Sequence, residues 1–133
     1  VSTGGYEPIP KADELLAKQV LDAAFCVHTS LGPGLLESVY EKCLCIELAG
    51  KPIPLVSQAS LPITFRGKTI DAGLRLDILV DRRIVVELKA VDQITPIHEA
   101  QLFTYLKLAD CRLGFLLNFN VKLFKDGIKR IVR

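Results

Sequence analysis

Asp77, Glu87 and Lys89 have the types and spacing to do chemistry on a phosphate. Glu87 and Lys89 stand two apart in the apolar run Ile84 to Val91. On a strand they share one face, while Val86 and Leu88 line the other. Asp77 stands in the run Leu74 to Val80, which alternates in the same way. Asp81-Arg82-Arg83 between the runs reads as a three-residue hairpin loop. That loop sets Val80 against Ile84 and, counting back, Asp77 opposite Glu87. One face is then expected to be Leu74, Leu76, Ile78, Val80, Ile84, Val86 and Leu88. The other carries Arg75, Asp77, Glu87 and Lys89 at one end, with Leu79 and Val85 at the other. A two-residue loop would slip the register and scatter the charges over both faces.

Opposed carboxylates on a sheet repel. A divalent cation between them removes that cost. Hard ions such as magnesium take carboxylate oxygens and keep several waters, which suits phosphate chemistry. A lysine two residues beyond the second carboxylate can polarise a water or hold a phosphate oxygen. The competing reading is a surface hairpin with an ordinary salt bridge from Lys89 or Arg75 to a carboxylate.

These strands need a scaffold, and the composition supplies one. The chain has 133 residues, half of them hydrophobic and 24% charged, as expected of one globular domain and not of a disordered chain. No apolar stretch approaches a membrane span, and there is no signal-peptide core. The sequence lacks Met, so a processed or trimmed start is expected. A formal charge of +2 neither demands nor excludes nucleic acid. Cys26, Cys43, Cys45 and Cys111 form no C-x-x-C pair, and His28 and His98 do not complete a zinc set. Buried free thiols in a reducing cytosol are the expectation.

Residues 1–12, with Gly4, Gly5, Pro8 and Pro10, read as a loose arm, and 13–133 as the domain. Apolar spacing from Asp13 to Leu31 predicts a helix, capped by Asp13 and ended by Gly32-Pro33-Gly34. A second helix, about Leu35 to Leu48, puts Glu37, Tyr40, Leu44 and Leu48 on one stripe. Glu37 favours the helix dipole there, although its apolar company is expected to turn it inward. Residues 52–71 read as an extended edge strand with a turn at Arg66-Gly67-Lys68. Thr95-Pro96 starts a helix to about Ala109, with His98, Gln101 and Tyr105 on one face. Leu113 to Leu117 is a strand covered on both sides, parallel to the Glu87 strand across a βαβ crossover. Val121 to Arg133 reads as a hairpin around Asp126-Gly127. It carries the one concentrated basic patch, Lys122, Lys125, Lys129, Arg130 and Arg133.

Two helices, antiparallel strands, a helix and a parallel strand, with Asp and Glu-x-Lys on neighbouring strands, resemble the PD-(D/E)XK nuclease superfamily. Gly34-Leu35-Leu36-Glu37-Ser38-Val39-Tyr40 matches the motif that names its GxxExxY family. Val27 to Gly34, Ile84 to Ala90, His98 to Leu102 and Leu116 to Phe119 match its surroundings. Leu76 stands where the superfamily has Pro, which alters a backbone restriction and no ligand. The resemblance implies an α/β, restriction-endonuclease-like core: a mixed central sheet flanked by helices. It places Asp77, Glu87 and Lys89 at the catalytic positions, Glu37 at the helical acidic position, and Gln101 with Tyr105 in a supporting or substrate-binding Q-x-x-x-Y.

The expected activity is hydrolysis of nucleic-acid phosphodiesters with Mg²⁺ or Mn²⁺. The ion would be held by Asp77, Glu87 and the Leu88 carbonyl, with Glu37 direct or through water. The expected partner is nucleic acid, DNA before RNA, with no membrane role. A homo-oligomer is compatible with the sequence, and the expected location is cytoplasmic. A non-catalytic nucleic-acid-binding or assembly module on the same fold is the alternative.

Overall fold

The computed structural model describes residues 7–133. Helix α1 (Lys11–Leu31) buries Leu16, Ala17, Val20, Ala23, Ala24 and Val27, the stripe its periodicity predicts. It begins two residues before the expected cap. Pro10 holds the N-cap position, and Asp13 lies in the first turn, paired with Arg83 at 2.9 Å. Ile9 is already buried, and Arg112 donates to the Glu7 and Pro8 carbonyls at 2.7 and 3.2 Å. Residues 7–12 are therefore tied to the fold and are not part of a loose arm; residues 1–6 lie outside the described residues.

Helix α2 (Glu37–Gly50) follows, then β1 (Leu55–Ser60), β2 (Ile63–Phe65) and β3 (Lys68–Ile70). The stretch expected as one extended strand is thus divided. Arg66 and Gly67 both take positive φ, a hairpin turn that folds β2 onto β3 as a separate two-stranded ribbon. Next come β4 (Arg75–Val80), β5 (Ile84–Lys89), α3 (Pro96–Ala109), β6 (Leu113–Asn118), a 3₁₀ turn (Phe124–Gly127) and β7 (Ile128–Val132). The main sheet runs β1-β4-β5-β6-β7, antiparallel except for the parallel pair β5 and β6 joined through α3. This is a mixed sheet flanked by helices, as expected.

Each face of the sheet carries its own core. Ile78, Val80, Ile84, Val86, Leu88, Leu113, Phe115 and Leu117 pack with α1 and α2. Leu76, Val85 and Leu116 pack with Leu102 and Leu106 of α3. With both faces covered, all six residues of β6 are buried. Full burial of a leucine contributes roughly 1.5–3 kcal/mol, so β5 and β6 carry much of the apolar burial that holds the fold together.

The expected tail hairpin is not formed. β7 pairs with β6 instead, and residues 119–127 make the connection. Gly127 is needed there for close approach and not for a left-handed turn, because a Cβ at that position would run into the Asn118 carbonyl oxygen. Cys26 is exposed, Cys43 and Cys45 are half-buried, and Cys111 alone is buried. The expectation of uniformly buried thiols holds only for the last.

Candidate active site

The hairpin of β4 and β5 has the register of a three-residue loop. Val80 faces Ile84, Leu79 faces Val85 and Ile78 faces Val86, with Asp81 and Arg82 both at positive φ in the turn. Beyond Ile78 and Val86 the backbone ladder stops and side chains replace it. The Asp77 amide donates to Glu87 Oε2 at 2.8 Å, and the Leu88 amide donates to Asp77 Oδ2 at 2.9 Å. Each carboxylate is thereby held by the opposite strand, and the two stand across a fork in the sheet.

β1 contributes a second interruption at the same level. Ser57 pairs with Ile78 and Ala59 with Leu76, but Gln58 and Asp77 between them do not pair. Gln58 takes φ 53°, a left-handed conformation that costs about 1–3 kcal/mol for a residue other than glycine. The strict alternation expected of β4 breaks here. Leu76 joins Val85 and α3, with Leu74 packed against the same cluster, while Ile78 and Val80 face α1 and α2. The single apolar face expected from Leu74 to Leu88 is therefore split in two, with Asp77 at the change of side.

Glu87 is 6% exposed, and burial followed by the charge of Asp77 pushes its carboxyl up to about 8. Asp77 is raised as well, mainly by burial. The Leu88 amide, a hydrogen bond from Gln58 and the charge of Lys89 oppose that rise, and Glu41 adds to it. Glu37 is raised by burial and then by Asp77, against the pull of Lys89 and the Ala90 backbone. The Lys89 ammonium thus acts on all three carboxylates without a direct ion pair to any of them.

The motif Gly34 to Tyr40 has a mechanical explanation. Gly32 and Gly34 take φ 72° and 96°, closing the α1–α2 corner. Tyr40 is fully buried, and its hydroxyl donates to the Gly32 carbonyl at 2.6 Å and accepts from the Leu35 amide at 3.1 Å. The tyrosine clamps the corner from below, and Glu37 becomes the first residue of α2. Glu37 is exposed as a residue, unlike the buried Tyr40, Leu44 and Leu48, but its carboxylate is partly desolvated over the end of β5, against the Ala90 backbone and within reach of the charges of Asp77 and Lys89.

Three neighbours had no role expected from the sequence, although Asn118 lies in the matching stretch Leu116 to Phe119. Glu41, one turn after Glu37, accepts from Ser57 Oγ at 2.9 Å and from Gln58 Nε2 at 3.0 Å on both oxygens. Its i, i+4 spacing from Glu37 was a signal. Gln58 carried no signal. Asn118 is buried, donates to the Val91 carbonyl at 2.9 Å, and accepts from the Val91 and Asn120 amides. With the Phe119 amide donating to the Lys89 carbonyl at 2.9 Å, it fixes the chain where it leaves β5. A polar residue closing the run Leu113 to Leu117 was the available clue.

On α3, Tyr105 faces the pair: burial and then Glu87 and Asp77 raise its hydroxyl. Gln101, a turn earlier, is exposed and makes no hydrogen bond among the described residues. His98 caps the helix start, its Nδ1 accepting from the Thr95 amide at 3.1 Å. The basic tail is not one patch. Arg130 forms a two-pronged pair with Glu14 at 2.7 Å, and Lys129 lies 3.8 Å from Glu99. Arg133 bonds the Cys111 carbonyl and Asp110. Lys122 and Lys125 remain exposed, with no ion pair among the described residues.

The family model of the PD-(D/E)XK nuclease superfamily matches residues 14–131. The chain belongs to that superfamily. No curated protein and no solved structure matches it. PD-(D/E)XK nucleases commonly use divalent metals, and the donors here are hard carboxylate oxygens, which suit such ions. Among the described residues no group of three His, Cys, Asp or Glu side chains is gathered closely enough to hold a metal ion. No helix among the described residues is long and apolar enough to cross a membrane.

Proposed function

We propose that this superfamily member is a GxxExxY-type nuclease that hydrolyses nucleic-acid phosphodiesters with Mg²⁺ or Mn²⁺. The observation that carries the reading is the Asp77–Glu87 pair, cross-bonded over a fork in the sheet with Lys89 beside it. Asp77 and Glu87 would hold the ion, which when bound supplies charge neutralisation at the phosphate and an acidified water. The Leu88 carbonyl is the proposed backbone donor, and Glu37, exposed above the fork, would act through water.

Asp77 is fixed by the Leu88 amide and Glu87 by the Asp77 amide, so each presents its carboxylate without reorganisation. Lys89 is held at a strand end pinned by Asn118 and Phe119, and its ammonium would orient the attacking water and meet the phosphate's developing charge. Tyr105 would line the opposite wall, with Gln101 further out toward substrate. Phosphate-backbone contact would fall to Lys122 and Lys125, the tail cations without an ion pair among the described residues. Lys129, Arg130 and Arg133 have structural partners and would contribute less.

The decisive substitution is Lys89→Ala, assayed on single- and double-stranded DNA and RNA with Mg²⁺ or Mn²⁺. An interaction made only in the transition state lowers kcat and kcat/KM together and leaves substrate binding intact. Wild-type protein that binds nucleic acid but cleaves none, with Lys89→Ala unchanged, overturns the reading in favour of a binding module.

A further inference from the structure

A groove of about 460 Å³ opens beside the corner that carries Glu37. Phe25, His28 and Pro33 line it from the α1 side, and Lys122, Leu123 and Lys125 from the loop after β6. Its floor belongs to a run of aromatic rings. Tyr40 stacks on Phe119 at 4.6 Å, Phe119 meets Phe124 at 4.8 Å, and Phe124 meets Phe25 edge-on at 5.1 Å. His28 stacks on Phe124 at 5.2 Å, and its Nε2 lies 2.7 Å from the Val121 carbonyl, which pins the loop to α1.

Most of this run is interior, but its end is not. Phe25 is 40% exposed and Leu123 58%, and the lysines that line the groove with them have no ion pair among the described residues. Gly32 joins groove to site directly, since it lines the groove and its carbonyl holds the Tyr40 hydroxyl that sets Glu37. An apolar ring surface sharing a groove with two lysines that have no ion pair among the described residues is chemically matched to an unstacked nucleotide: a base with a free face between two phosphates. A duplex offers phosphates alone and leaves the ring unused.

Resting on the nuclease reading, we infer that this groove binds a nucleotide of a single-stranded segment. The base would lie against Phe25 and Leu123, and the flanking phosphates against Lys122 and Lys125. The enzyme would then act where strands are frayed, looped or single, and not within continuous duplex.

The test is fluorescence anisotropy in EDTA, with a short labelled single-stranded DNA of mixed sequence and its blunt duplex. Base–aromatic stacking is worth about 1–3 kcal/mol per base, so Phe25→Ala should weaken single-strand binding on the order of tenfold while leaving duplex binding unchanged. Phe25→Trp should restore it. Lys122→Ala with Lys125→Ala should flatten the single-strand salt dependence by about 1.4 in log–log slope. Phe25 is exposed, and a melting curve for each variant confirms folding. Equal losses on single strand and duplex overturn the inference, leaving a plain phosphate patch. So does unchanged binding of both by Phe25→Ala, which would leave the groove to a protein partner or second copy. In either case the wild type can still cleave with Mg²⁺, and only the groove reading falls. A wild type that neither binds nor cleaves any of the probes overturns the nuclease reading as well.

Discussion

Glu87 makes the stability of the metal-free protein depend on pH in a way that one substitution can isolate. Its carboxyl is raised from 4.5 to about 8, so between those values the native state keeps a proton that the unfolded chain has lost. The sign follows from proton linkage: this contribution is fully present below pH 4.5, declines as pH rises toward 8, and changes no further above it. At about 1.4 kcal/mol per tenfold change in proton affinity, the whole range corresponds to about 5 kcal/mol as an upper bound. Because part of the shift comes from the charge of Asp77, whose own carboxyl is raised, the measured difference should fall below that bound. Glu87→Gln keeps an oxygen for the Asp77 amide and carries no charge at any pH. Urea unfolding of both proteins in EDTA, from below pH 4.5 to above pH 8, should give similar stabilities in acid and a growing advantage for the variant. Subtracting the curves removes the slope due to Glu14, which Arg130 lowers, while Asp77 and Glu37, which act on Glu87, titrate with it, so the difference reports the coupled cluster. Parallel curves would refute the argument that Glu87 is buried against a like charge. With Mg²⁺ present, the ion competes with that proton, so its stabilisation of the wild type should increase over the same window.

Further substitutions separate the remaining roles. Glu37→Gln should weaken Mn²⁺ binding, read by calorimetry, or slow cleavage; if Glu37 serves the helix dipole alone, the variant instead loses about 0.3–1 kcal/mol of stability with metal affinity unchanged. Gln58→Gly relieves a left-handed residue and should raise the melting temperature, whereas Gln58→Val favours a regular β1–β4 ladder and should cost metal affinity by drawing Asp77 out of the fork. Equal effects of the two on metal binding would show that the backbone at Gln58 does not position Asp77. Tyr40→Phe leaves the Gly32 carbonyl and Leu35 amide without their buried partner, and urea unfolding should show a loss of about 1–3 kcal/mol.

The hairpin was legible because register, charge and hydrophobic alternation all point to the same loop length, and the structure holds that register through Val80–Ile84. Pro96 and the run Leu113 to Leu117 likewise announce α3 and β6 by local chemistry alone. What sequence could not reveal is tertiary. Leu76 changes side where Gln58, seventeen residues away from Glu41 yet bonded to it, drops out of the β1–β4 pairing. Gly127 resembles a turn glycine, but it is required by the approach of Asn118, a contact between segments that periodicity does not describe. The basic tail looks continuous as a string. In space Glu14, Glu99 and Asp110, from three different segments, claim Arg130, Lys129 and Arg133.

The cross-bonded fork also supplies two observers of its own chemistry. The amide proton of Asp77 points at Glu87 and that of Leu88 at Asp77, so each carboxylate is reported by a different backbone nitrogen. Nitrogen-15 labelling alone would then follow them separately in a heteronuclear spectrum. A proton lost from Glu87 moves the Asp77 cross-peak, and one lost from Asp77 moves that of Leu88. Two groups whose titrations are otherwise entangled can in this way be watched one at a time, and the order in which an arriving cation engages them read directly.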